Sequence, residues 1–258
     1  VVLSSEPIEC RLLIDSPRGG AWNMAVDEAL LESVAKTKTP TLRFYQWAEP
    51  TLSLGYFQRY DERESHPPSR DCPVVRRSTG GGAILHDREL TYCLVWPAGA
   101  ARSRARDGRS DATWLYRAVH QSLQNVLRGQ GIESELLQRP PVAAGRQPLL
   151  CFQRRAECDM VIDNCKILGS AQRRRRGAVL QHGSLLLAAT TKAPELSGLA
   201  EITGQPLDPT TLVAAWCRQL EETLGLALQP GVLDGYESQS AEELSQSKYG
   251  HQDWTRRR

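Results

Sequence analysis

Much of what would mark a specialised chain is missing here. No apolar run approaches the ~20 residues of a membrane-spanning helix, so a helical membrane protein is not expected. The opening stretch VVLSSEPIECRLLID has neither the basic start nor the long apolar run of a secretory signal. Neither charge sign dominates: 32 Lys+Arg face 30 Asp+Glu, a net charge of +2, so bulk charge does not point to nucleic acid. Cysteines stand at Cys10, Cys72, Cys93, Cys151, Cys158, Cys165 and Cys217, with no C-x-x-C pair. Such an odd, scattered set suits neither a disulfide framework nor a zinc site, and no metal site is expected. It fits a reducing, cytoplasmic setting. Lysine is scarce: five residues (Lys36, Lys38, Lys166, Lys192, Lys248), leaving 27 arginines. A lysine entering an apolar strand therefore stands out.

What is present is ordinary for a soluble globular protein: 258 residues, 40% hydrophobic and 24% charged, enough for one large core. Residues 10–15 read as a strand. A helix follows, with Met24, Ala25, Leu30, Leu31 and Val34 at helical spacing. TLRFYQW and TLSLGYF read as strands, SHPPSRDCP as a loop, and LTYCLVWP as a strand ended by Pro97. Residues 98–111 are small, polar and arginine-rich, a loop or linker. ATWLYRAVHQSLQNVLRGQG is an amphipathic helix, with His120 expected at its surface or boundary. Residues 139–148 form another loop. LLCF, CDMVID, CKILGSAQ and GAVLQHGSLLL then read as short strands with tight turns, and beyond about residue 190 the chain turns helical. Strands in runs with inserted helices indicate an α+β fold.

RRSTGGGAILHD, residues 76–87, places three glycines between two arginines and an apolar strand. Each glycine loses more backbone freedom on folding than any other residue, so the backbone itself must be needed there. The run lacks G-x-G-x-x-G and the G-K-[ST] of a phosphate loop. It reads as a hairpin turn or as a backbone nest against an anion, carbonyl or acyl chain. Lys166 reads as a turn lysine with its head in water, or as a buried cation. Cys151 reads as a small buried hydrophobe or a nucleophile. His86 and His182 read as structural strand histidines or as bases. RRRR at 173–176 reads as a solvated turn, since aromatics that would suit nucleic acid are not interleaved.

Four blocks, in order, carry a resemblance. RRSTGGGAILHD resembles the R-R-x-[ST]-G-G-G-x-V-x-H-D motif of the lipoate–protein ligase and octanoyltransferase family. NMAVDEALL (23–31), KILGSAQRRRRGAVLQHGSLLL (166–187) and SKYGHQDW (247–254) resemble its other blocks. The resemblance spans residues 10–254. It implies the fold shared with biotin–protein ligases: a mixed β-sheet flanked by helices around an acyl tunnel. One catalytic domain over 1–258 is expected, with a sheet core at about 10–190 and a helical extension at 191–258.

The resemblance further implies catalytic roles for Cys151 and Lys166. Cys151 lies in a C-F loop some fifteen residues before the lysine, as in the cysteine-dependent octanoyltransferase branch. Arg76, Ser78, Gly80, Gly81, Gly82, His86, Gly169, Ser170, Ala171, His182 and Gly183 would bind substrate. The implied reaction moves an octanoyl group from acyl carrier protein, through Cys151, to a lysine of glycine cleavage H protein or of a dehydrogenase lipoyl domain. No cofactor is needed, and a monomer without nucleic acid or membrane partners is implied. The alternative is a lipoate ligase using ATP and Mg²⁺, with Cys151 a bystander. A non-enzymatic acyl- or acceptor-binding relative is a third reading. Acceptor and carrier domains of this kind are acidic, so RRRR could form a steering rim. QRRAE at 153–157 and the loops at 98–111 and 139–150 depart from the family pattern, which bears on acyl preference.

Overall fold

The computed structural model describes residues 6–98, 111–139, 145 and 147–258. The arginine-rich stretch 102–109 and most of the loop at 139–148 lie outside the described residues. The strands are β1 (Ile8–Ile14), β2 (Thr41–Tyr45), β3 (Thr51–Leu54), β4 (Val74–Arg76), β5 (Ile84–His86), β6 (Glu89–Pro97), β7 (Glu135–Leu136), β8 (Met160–Ile162), β9 (Cys165–Arg175), β10 (Ala178–Leu186) and β11 (Leu226–Pro230). The helices are α1 (Gly20–Thr37), α2 (Asp111–Gly129), α3 (Leu199–Thr203), α4 (Pro209–Leu224), α5 (Gly235–Leu244) and α6 (Gln252–Thr255).

The main sheet runs β11-β1-β2-β6-β10-β9-β8-β7, and a smaller one runs β4-β3-β5. β1 pairs parallel with β11 and β2, while the pairs from β2 through β7 are antiparallel. The sheet is mixed and flanked by helices, the α+β architecture expected. β6 shows why its sequence is apolar throughout. Leu90, Tyr92, Leu94 and Trp96 pack toward α2 and α4, while Cys93 and Val95 pack toward α1. Side chains alternate across a strand, so a strand covered on both faces reads as a continuous apolar run.

Two sequence expectations change. LLCF is not a strand: Leu150 makes a single bridge to Ala83, and Cys151–Gln153 is one 3-10 turn. The segment 191–258 is not purely helical either. Gly225, at φ 61°, ends α4, and LALQP then adds β11 to the edge of the main sheet beside β1. The rest of the tail returns onto α1. A π-helical turn, Ser245–Tyr249, brings Lys248 Nζ and the Tyr249 hydroxyl each to 2.5 Å from Glu28 Oε2. Burial pushes the Glu28 carboxyl up, but these donors pull it below the ordinary carboxylate range.

Candidate active site

The β8–β9 hairpin sets Lys166. Asp163 and Asn164, at φ 47° and 63°, form its two-residue turn. Two left-handed residues match the twist of the flanking strands. Lys166 then points inward and is only 4% exposed. Its Nζ lies 2.8 Å from Asp159 Oδ2 and donates to the Cys151 carbonyl at 3.4 Å and to Cys151 Sγ at 3.5 Å. Burial raises the Asp159 carboxyl above its usual range, while Lys166 and the Ala156 N–H act the other way. The lysine stem lies directly over Gly169, where any Cβ would overlap its Cε and Nζ. KILG thus carries both the lysine and the gap that receives it.

Cys151 is placed by the glycine loop. Ala83 N–H donates to Leu149 O at 3.0 Å, and Cys151 N–H donates to Ala83 O at 2.7 Å. Gly81 takes φ +94°, a conformation side chains rarely adopt. Its carbonyl lies so close to Gly55 that a Cβ on Gly55 would overlap it. Arg77 fastens the loop: its guanidinium donates to Gly80 O at 3.1 Å, Gly82 O at 2.9 Å and Ser53 O at 2.7 Å. Burial pushes the Arg77 guanidinium down to about 10. Gly55→Ala should therefore displace the Gly81 carbonyl and lower stability by about 1–3 kcal/mol, as overpacking does. Thermal melting and the rate of Cys151 alkylation together check this, with altered alkylation reporting the loop shift.

Two histidines stand on carboxylates around the same pocket. His182 Nδ1 donates to Asp27 Oδ2 at 2.8 Å, and its Nε2 faces Thr79 Oγ1 at 2.7 Å. Arg43 and Tyr45 also donate to Asp27, at 2.9 and 3.0 Å. Burial opposes ionisation of Asp27, but His182 and Arg43 hold its carboxyl below the usual range. His86 stacks on Trp47 with ring centres 3.8 Å apart, and bridges Glu89 Oε1 at 2.7 Å to Ser53 Oγ at 2.6 Å. Burial pushes the His86 imidazole down despite Glu89.

The pocket has a cavity volume of about 40 Å³ and opens to solvent at its mouth. Its walls include Cys151, Gly80, Gly81, His86, Gly169, Ser170, Ala171, His182 and Gly183 from the sequence-expected set. Arg76 faces elsewhere. It is fully buried and donates to Thr255 O at 2.8 Å, Gly55 O at 2.9 Å and Gln58 O at 2.7 Å, fastening the C-terminal turn. Ser78 interacts with the Tyr249 hydroxyl. Gly82 lies under the Arg154 guanidinium, 2.8 Å from where a Cβ would stand. Met24, Tyr45, Arg77, Ile84 and Thr91 line the pocket without having been singled out as binding residues. Asp159, the partner of Lys166, was also missed.

His120 is not at the surface. It is 1% exposed, with Nδ1 donating to Cys158 O at 2.5 Å and Nε2 facing Ser170 Oγ at 2.6 Å. The spacing His120, Leu123, Leu127 puts it on the apolar face of α2. Burial pushes its imidazole down to about 4. A histidine so lowered is neutral in the fold but gains a proton on unfolding below about 6.5. Its contribution is thus complete above pH 6.5 and is lost as pH falls toward 4, by about 3 kcal/mol. Denaturant titrations across that window should show the loss, and His120→Gln should flatten it.

Comparison with known proteins identifies the family. The model for the lipoyl protein ligase A/B catalytic domain matches residues 20–206. The chain is 34% identical to an octanoyltransferase LipM of Kyrpidia tusciae, over 96% of this chain and 98% of that one. It is 32% identical to an octanoyltransferase LipM of Clostridioides difficile, again over 96% and 98%. Among solved structures, a bipartite lipoate protein ligase of Thermoplasma acidophilum, described together with its E2 lipoyl domain, superposes with a TM-score of 0.76. It is 23% identical, and 96% of each chain is covered. With its glycine loop, its lysine strand and relatives matched almost end to end, this chain belongs to the lipoyl protein ligase A/B catalytic-domain family.

Proposed function

We propose that the chain moves an octanoyl group from acyl carrier protein to a lysine of a lipoyl-accepting protein, through an acyl-enzyme on Cys151. The observation that carries this reading is Cys151 Sγ on the wall of the pocket, 3.5 Å from the buried Lys166 Nζ, in a chain whose matched relatives are octanoyltransferases. An ammonium beside a sulfur stabilises its anionic, nucleophilic form. The Cys151 thiolate attacks the thioester carbonyl, a C–S bond forms, and the donor thiolate leaves and takes a proton from solvent. The neutral amine of the acceptor lysine then attacks the acyl-enzyme. A C–N bond forms, the Cys151 C–S bond breaks, and the amine releases its proton as the thiolate is restored. Lys166 stabilises the oxyanion in both steps. Asp159 holds that lysine in place, and the acyl chain lies along Met24, Ile84 and Thr91.

The acceptor is glycine cleavage H protein or a dehydrogenase lipoyl domain, and the reaction needs no ATP. Intact-protein mass spectrometry with octanoyl acyl carrier protein, with and without apo acceptor, tests the reading. An octanoyl adduct that is chased onto the acceptor is expected. Labelling of the acceptor only when lipoate, ATP and Mg²⁺ are supplied would overturn it in favour of a ligase.

A further inference from the structure

We propose that Phe57, Arg173 and Arg257, on the rim of the Cys151 pocket, form the docking surface for the acceptor domain, and that this rim selects a lysine flanked by carboxylates. The proposal rests on the transfer reading above.

The four-arginine run divides in the fold. Arg175 and Arg176 turn toward α1, where Glu28 and Glu32 neutralise them at 2.8 and 3.4 Å. Arg173 lies two residues earlier, on the same strand face as Arg175 but closer to the pocket. It shares one face of β9 with Gly169 and Ala171, because every second residue of a strand faces the same way. Gly169 and Ala171 line the pocket, and Arg173 carries that face outward to stand over the Tyr56 ring at 5.3 Å. Arg257 approaches the same ring from the C-terminal tail at 4.5 Å, and Arg258 stands 5.3 Å over Phe57. Among the described residues, none of these three guanidiniums forms an ion pair with a carboxylate. Phe57, 67% exposed, packs edge-on to Tyr56 at 5.0 Å and borders Gly80, which is itself a pocket wall. An exposed aromatic with Arg258 over it, beside a Tyr56 ring that carries Arg173 and Arg257, thus borders the glycine wall of the pocket.

The chemistry of the second step identifies the occupant. A lysine has only a four-carbon stem, and its target sulfur lies inside a pocket. The domain that carries the lysine must therefore seat against the rim. A rim of guanidiniums repels a bare ammonium, so a lone surface lysine is turned away. A lysine whose neighbours are carboxylates is drawn in, because the carboxylates meet Arg173 and Arg257 while the ammonium passes between them. Phe57 supplies a rigid apolar anchor at the centre of the contact.

The test is a binding titration of an apo lipoyl domain that has carboxylates beside its acceptor lysine, at low and at physiological salt. Arg173→Glu and Arg257→Glu should each weaken binding about tenfold, the loss being larger at low salt, and Phe57→Ala should weaken it comparably. Reversing the acceptor's flanking carboxylates to lysine should weaken binding to the unaltered enzyme and restore it to the charge-reversed variants. Unchanged affinity across the variants, or no binding by the unaltered enzyme, would overturn the docking surface. In parallel, Cys151 acylation by a small octanoyl thioester, read by intact mass, should be the same in all variants, which also shows that they are folded. Failure of the unaltered enzyme in that arm would overturn the transfer reading, while the titration still decides the docking surface.

Discussion

Cys151→Ala should yield no octanoyl adduct, and transfer to an acceptor should fall by about 10³-fold or more, since the variant has no nucleophile. The structure makes this a clean experiment. The Cys151 position is held by main-chain bonds, Cys151 N–H to Ala83 O and Arg154 N–H to Cys151 O. Neither needs the thiol. The side chain is half-buried at a pocket wall rather than packed in the core, so stability should change by less than about 1 kcal/mol. Cys151→Ser separates nucleophile from shape. A hydroxyl fits the same space but ionises far less readily than a thiol, so acylation should remain close to that of the alanine variant. The other free cysteines provide the internal control. Burial pushes the Cys10 thiol up to about 12 and raises Cys93 and Cys158 as well, so an electrophile should label Cys151 ahead of these three. Retention of transfer by Cys151→Ala would remove the covalent mechanism.

The second large effect is at Lys166. Lys166→Met should lower transfer by about 10²–10³-fold, the usual loss when one preorganised charge is removed from an oxyanion site. It should also lower stability by about 3 kcal/mol at neutral pH, because Asp159 is left buried without its cation. The sign of the pH dependence follows. Burial already holds the Asp159 carboxyl above its ordinary range, and losing Lys166 raises it further. The fold of Lys166→Met then favours protonated Asp159 more than the unfolded chain does. Its stability deficit should therefore shrink as pH falls and the carboxyl takes up a proton. Lys166→Met combined with Asp159→Asn should regain stability but not transfer, which separates the structural role of the pair from the chemical one. Lys166→Arg keeps the charge, yet the gap over Gly169 is matched to a slender lysine stem, so activity should also fall. Denaturation curves at several pH values and single-turnover acylation check both parts.

The C-terminal segment shows where local pattern stops being informative. PTTLVAAWCRQLEETLG signals a helix by period and by its ends, with the Asp208 carboxylate capping one and Gly225 closing the other. The five residues LALQP carry too short a pattern to specify a partner. Their strand exists because the edge of β1 lies open beside them, and sheet pairing is a long-range event that neither strand announces alone.

By itself, the sequence determined the class of fold and the glycine loop, while the joint roles of Cys151 and Lys166 came only as what the family resemblance implies. The first two rest on local chemistry: spacing within a strand or turn, and glycines where the backbone must bend or approach closely. The tertiary structure alone decided which neighbours those residues meet. Arg76 and Arg77 are adjacent and chemically alike. Arg76 fastens the C-terminal turn, while Arg77 holds the glycine loop and lines the pocket. Arg76 is the last residue of β4 and Arg77 the first beyond it, so only the packing around each decides which partners its guanidinium meets. Asp159 meets Lys166 across a hairpin, Asp27 meets His182 across 155 positions, and His120 meets Ser170 across 50. Such contacts are set by packing of whole elements against one another, and no local spacing in the chain encodes them.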